Sequence, residues 1–181
     1  RALKDLYRGR EHEDEMVSYL PHCTFNLNGR AASIDTPLHS SLPYAHVDHM
    51  HPDAVIAIAA MENSESITQV VFGGTVGWMP WLRPGYELGQ QLAAYNEANP
   101  GLRGIVLGGH GLFSWGDTAQ SCYENTEDLI ERAQTWLATP RQARGAVAFG
   151  LALDPHEDLA VHRLRAGIAA PDPTSHGRDQ E

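Results

Sequence analysis

Lysine is almost missing from this 181-residue chain: Lys4 stands alone among thirteen basic side chains, the other twelve being arginines. One lysine close to the start leaves almost no candidate for Schiff-base chemistry or for the lysine of a phosphate-cradling P-loop. Cysteine is scarce too. Cys23 and Cys122 form no CxxC pair and no disulfide framework, so a reducing, cytoplasmic setting is expected and both thiols read as small buried hydrophobes rather than ligands. Positive charge is in deficit, thirteen basic against twenty-three acidic groups for a formal net charge of −10, which argues against nucleic-acid or anionic-membrane partners. No apolar run approaches the roughly 18 residues that span a bilayer. The run Ala54 to Ala60 has only seven. A serine nucleophile elbow, G-x-S-x-G, is absent. The Val71 to Gly77 run (VFGGTVG) is glycine-rich but has neither the lysine nor the spacing of a phosphate loop.

What remains is an ordinary single-domain length with 42% hydrophobic residues, enough to bury a sizeable core. Glu11 to Leu20 reads as a short acidic helix with Met16, Val17 and Leu20 on its apolar face. Asn26 to Gly29 is turn chemistry, and Asp35 starts a helix with Pro37 in its first turn. Ala45 to His51 reads as a strand, Pro52 and Asp53 open a helix, and Ile67 to Phe72 is expected to be a second strand. A Gly/Trp/Pro-rich stretch, Gly73 to Pro84, follows, then a helix from Gly85 to Asn99 and a short buried strand at Ile105 to Leu107. Asp117 and Gln120 suggest a D-x-x-Q capping box opening the longest helix. Trp78, Trp81 and Tyr86 could line a pocket, a subunit interface or the core. Alternating strands and helices point to an α/β layered domain, on this pattern alone with a parallel sheet. The chain opens on Arg1 and is expected to be an N-terminally incomplete piece, with a domain over 1–145 and a tail over 146–181 rich in Pro, Asp, Arg and His.

Histidine is the abundant residue, with ten copies, and His39, His46, His49 and His51 fall within one short stretch. His49 and His51, at i and i+2 of a strand, project to one face and can chelate one cation at the strand's C-terminal mouth; the alternative is a chance surface pair. His110 ends a second short strand among Gly108, Gly109 and Gly111, either as a third ligand or as a turn histidine. Three imidazoles with one open position is the layout of a catalytic zinc. His39 and His46 read as surface residues or as hydrogen-bond supports to the ligands, and Asp48 faces away from His49 as a structural group.

Three blocks in order then carry a family resemblance: Ala32 to His39 (ASIDTPLH), Ala45 to Ala54 (AHVDHMHPDA) and Val106 to Thr118 (VLGGHGLFSWGDT). With the helix after Asp117 they span roughly residues 11 to 138, and the chain resembles the class II aldolase/adducin family. The wording of the blocks is most similar to the aldolase part of bifunctional rhamnulose-1-phosphate aldolase/alcohol dehydrogenases. The resemblance implies a three-layer α/β/α fold with a mostly antiparallel central sheet. It implies Zn²⁺ on His49, His51 and His110, a catalytic carboxylate at Asp35, and Ser33 at a substrate-phosphate position. Asp35 stands where better-known members carry glutamate, one methylene longer. The family's N-terminal glycine-rich phosphate segment has no counterpart in this sequence.

The activity so implied is retro-aldol cleavage of a ketose 1-phosphate, rhamnulose 1-phosphate first, to dihydroxyacetone phosphate and lactaldehyde, by a homo-oligomer, a tetramer in the family. The metal platform equally suits a sugar-phosphate 4-epimerase or a dehydratase. A non-catalytic adducin-like binding domain shares the fold without needing the three histidines.

Overall fold

Residues 2–23 and 32–140 are described by the computed structural model. The expected turn at Asn26 to Gly29, the 145/146 boundary and the tail lie outside them. A short helix α1 (Glu13–Tyr19), flanked by 3₁₀ turns, precedes α2 (Thr36–Ser41) and strand β1 (His46–Met50). Then come α3 (Asp53–Ala59), α4 (Ser64–Phe72), β2 (Val76–Met79), α5 (Tyr86–Ala98), β3 (Gly104–Leu107), β4 (Leu112–Gly116) and α6 (Ala119–Ala138).

The four strands lie in the order β1-β4-β3-β2. β4 is antiparallel to both β1 and β3, while β2 and β3 are parallel. β1, β2 and β3 therefore run the same way, as the strand–helix alternation suggests. The tight turn after β3 sends β4 back between β3 and β1, and that inserted strand makes two of the three pairings antiparallel. A sheet of parallel neighbours is thus corrected by one hairpin. The C-terminal ends of β1, β2 and β3 share one edge.

Side chains alternate between two cores. Val76, Val106 and Leu112 pack with α3, α4 and α6 through Val55, Ile58, Ile67, Phe72 and Leu129. Met79, Ile105, Phe113 and Trp115 pack on the opposite face with α2 and α5 through Leu38, Leu88 and Leu92. This is a three-layer α/β/α arrangement.

Three local readings change. Ile67 to Phe72 is helix, not strand: its β-branched residues suggest extension, but Ser64, Ile67, Thr68, Val71 and Phe72 form a buried helical stripe, and packing overrides propensity. β2 emerges from the Gly/Trp/Pro-rich Gly73 to Pro84 stretch, and β4 from a segment to which the sequence pattern assigns no element. The cap of α6 is Thr118 rather than Asp117, with Thr118 and Ser121 bonding reciprocally. Of the thiols, Cys122 is buried and Cys23 is exposed. Tyr86 is buried, Trp78 donates its indole N–H to Ser64 Oγ at 2.8 Å, and Trp81 stands 62% exposed.

The helix that carries Asp35 is pinned by a close approach. A Cβ on Gly89 of α5 would meet the Pro37 carbonyl oxygen of α2 at 2.7 Å and Ser41 Oγ at 3.1 Å. Alanine at an exposed helix site is worth about 1 kcal/mol over glycine, but overpacking against backbone costs about 1–3 kcal/mol. Gly89→Ala is expected to destabilise the fold by about 1 kcal/mol, read as a lower urea midpoint at unchanged slope; a raised midpoint contradicts the tight α2–α5 contact.

Candidate metal centre

His49 is placed by β1 and oriented by its neighbours. Its ring stacks on Phe113 of β4 with centroids 4.1 Å apart and planes 6° apart. Its Nδ1 lies 3.1 Å from the Leu112 carbonyl oxygen. A carbonyl only accepts, so Nδ1 carries the proton and the lone pair sits on Nε2. His51 follows one residue beyond β1, and its Nε2 lies 3.1 Å from His49 Nε2.

The β1–β4 register pairs Met50 with Leu112, which carries His51 past the strand end alongside Gly111. A Cβ at Gly111 would meet His51 Cδ2 at 2.4 Å and the Met50 carbonyl oxygen at 2.7 Å, so only glycine leaves room for that ring. The turn before β4 closes through Leu107 N–H to the Gly111 carbonyl (2.8 Å) and His110 N–H to the Leu107 carbonyl (3.0 Å). Gly109 sits at φ +66°, a region glycine enters freely, and its N–H donates to the Ala59 carbonyl at 2.7 Å. That turn delivers His110, whose ring centroid lies 5.0 Å from His49 and 4.9 Å from His51. The three imidazoles offer ligand atoms all within 4.8 Å of one another.

The donor set fits a divalent cation of borderline softness. His110 Nδ1 is buried and has no hydrogen-bond partner among the described residues, a state that costs roughly 1–3 kcal/mol when nothing satisfies it. The 3.1 Å between the two Nε2 atoms is close to the edge of about 3.3 Å expected between nitrogens on a tetrahedral zinc. Burial, seconded by His110 and His51, pushes the His49 pKa down to about 4 against the opposing Leu112 hydrogen bond and Asp35 charge. Burial also lowers His110, with His51 adding to it. Near neutral pH both rings are thus free bases, the form that binds metal.

His49 also borders a cleft of about 600 Å³, lined further by Ser33, Asp35, Thr36, His39 and Tyr44. Asp35 occupies the N-cap position of α2 without capping it through its side chain. Instead its carboxylate accepts from Ser33 Oγ at 3.2 Å, while Ser33 Oγ accepts from the Asp35 N–H at 3.1 Å. The structure thus brings together all five residues singled out in the sequence: three histidines in one cluster, with Ser33 and Asp35 on the cleft that His49 shares. Asp48 points the other way and accepts from Thr126 Oγ1 at 2.8 Å. His46 is exposed. His39 lines the cleft, which its sequence context gave little reason to expect beyond its position four residues after Asp35. Among the described residues no helix is long and apolar enough to cross a membrane.

Comparison with known proteins bears on the family and the fold. Residues 9–137 match the model of the Class II Aldolase and Adducin N-terminal domain. An "Uncharacterized oxidoreductase YuxG" of Bacillus subtilis (strain 168) is 38% identical over 132 residues, which are 73% of this chain but 19% of that protein. The N-terminal Class II Aldolase domain of a conserved protein from Thermoplasma acidophilum is 30% identical at a TM-score of 0.66, over 75% of this chain and 62% of that one. YgbL from Escherichia coli, a putative aldolase/epimerase/decarboxylase, shares the fold at a TM-score of 0.52 and 22% identity, over 64% of this chain and 61% of its own. The chain therefore spans only part of the relatives it matches, and by the match over 9–137 it belongs to the class II aldolase and adducin N-terminal domain family.

Proposed function

We propose that the chain is a zinc-dependent aldehyde-lyase that cleaves a ketose 1-phosphate, rhamnulose 1-phosphate first, to dihydroxyacetone phosphate and lactaldehyde. The observation that carries this reading is the carboxyl group of Asp35 and a cluster of three imidazoles meeting across His49 at the edge of one cleft. The similarity of the sequence blocks to rhamnulose-1-phosphate aldolases supports the choice of substrate, and the family resemblance supports a cytoplasmic homo-oligomer.

His49, His51 and His110 hold the zinc. Bound there, zinc supplies the Lewis acidity that stabilises negative charge on the substrate's carbonyl oxygen. Ser33 Oγ binds the substrate phosphate, at the mouth of the cleft where it is exposed. Asp35 moves the proton to or from the carbon that becomes, in dihydroxyacetone phosphate, the hydroxymethyl carbon. Its hydrogen bond from Ser33 steadies the carboxylate for that transfer. With Lys4 the sole lysine of this sequence, an imine is not at hand as electron sink, which favours the chemistry that a cation held by His49, His51 and His110 would supply.

His110→Ala is expected to remove zinc, by elemental analysis, and dihydroxyacetone phosphate release, by a coupled assay, together; turnover that survives a chelator contradicts the metal reading. Asp35→Asn should keep zinc and lose about 10²–10⁴-fold in kcat. Cleavage at the native rate by that variant removes Asp35 from the chemistry. A third expectation concerns pH. An unfolded histidine titrates near 6.5 and folded His49 near about 4, so between these values the unfolded chain binds more protons. The His49 contribution to stability of the metal-free chain is thus complete above about pH 6.5 and is lost as the pH falls toward about 4. Denaturation midpoints from pH 7 to 4.5 should fall more steeply in the native chain than in His49→Gln; parallel profiles contradict a buried free-base His49.

A further inference from the structure

His39 sits four residues after Asp35 on α2, and its backbone N–H bonds back to the Asp35 carbonyl at 3.3 Å, so the two side chains share a helix face. The ring is half-buried, edge-on to Phe113 (centroids 5.6 Å, 65°) and to His49 (6.4 Å, 71°), and lines the cleft. Its Nδ1 lies 3.1 Å from the Val47 carbonyl oxygen of β1. Since that oxygen only accepts, Nδ1 donates, and the neutral ring keeps its lone pair on Nε2. Nε2 has no partner among the described residues and is not among their sealed, unsatisfied polar atoms. It is thus a hydrogen-bond acceptor of fixed direction, on a ring held by a backbone tie and lining the cleft.

The neighbouring polar groups give that acceptor its purpose. Ser33 and Asp35 take the phosphate and the transferred proton in the proposed function, on which this inference rests. His39 lies further along α2 on the same wall of the cleft. A ketose phosphate bound by those groups carries a chain of hydroxyls, each needing an acceptor once water is displaced. We infer that His39 is a substrate-binding residue whose Nε2 accepts a hydrogen bond from a hydroxyl of the bound sugar phosphate. No bond is made or broken at this group.

Two substitutions separate this role from a structural one. His39→Asn places an amide nitrogen near the Nδ1 position and nothing at Nε2; His39→Gln reaches the Nε2 position and abandons the Val47 tie. Each is made in the full chain, alone and with Asp35→Asn to suppress turnover. Binding of rhamnulose 1-phosphate to the zinc-loaded proteins is measured by calorimetry, alongside zinc content and melting temperature. His39→Asn is expected to weaken binding about tenfold at unchanged zinc content, with His39→Gln recovering most of the loss. Native affinity in His39→Asn, or equal losses in the two variants, assigns the ring to holding α2 against β1 and overturns the inference. If the Asp35→Asn parent binds without the native chain cleaving, the lyase reading falls and the Asn-to-Gln comparison still decides the role of His39. If the parent binds neither rhamnulose 1-phosphate nor dihydroxyacetone phosphate, both fall.

Discussion

The antiparallel register of β1 on β4 is the constraint on which the site depends. Pairing Met50 with Leu112 and His49 with Phe113 does three things at once. It stacks the His49 ring on Phe113, sets its Nδ1 against the Leu112 carbonyl, and carries His51 alongside Gly111. A slip by one residue would turn His49 to the opposite face, toward Thr126 and α6, and bring Asp48 into its place. The hairpin between β3 and β4 completes the arrangement, because the turn that reverses the chain is the segment bearing His110. One histidine from a strand, one from the residue that follows it and one from a turn 59 positions after His51 thus converge without any of them belonging to a long element.

Burial then sets the chemistry. The same packing on Phe113 that orients His49 strips it of water and keeps it uncharged, and His110 is treated likewise. Three imidazolium groups so close would repel each other by several kcal/mol in a partly desolvated site, whereas three free bases present lone pairs to a shared cation. The layer of α2 and α5 supplies the complementary part. α2 is short, but the Pro37–Gly89 contact and the His39–Val47 hydrogen bond fasten it to α5 and to β1. Asp35 is held at its start, on the cleft that His49 also borders.

Much of this was legible in the residues. Period-two spacing placed His49 and His51 on one face of a strand ended by Pro52, and the Gly-Gly-His-Gly turn marked His110 as unusual. The D-T-P signal correctly located the start of α2 at Asp35. Illegible parts have physical causes. Leu112 to Trp115 is buried on both faces, so β4 shows no alternation to distinguish it from a loop after glycines. Trp78 and Gly77 hide β2 in a run that looks like turn chemistry, although Gly77 is there because Tyr95 packs where its Cβ would be. The β-branched run in α4 mimics a strand until its partners are known. His39 looked like one histidine among ten, because what sets it apart is a carbonyl eight residues away that accepts from its Nδ1.

X-ray absorption at the zinc edge of the metal-loaded chain tests most directly whether His49, His51 and His110 close on one ion. The expected spectrum has three imidazole nitrogens at about 2.0–2.1 Å, with the multiple scattering of intact rings, and the remaining position filled by oxygen. A sulfur shell at about 2.3 Å, or fewer than three imidazoles per zinc, would contradict it.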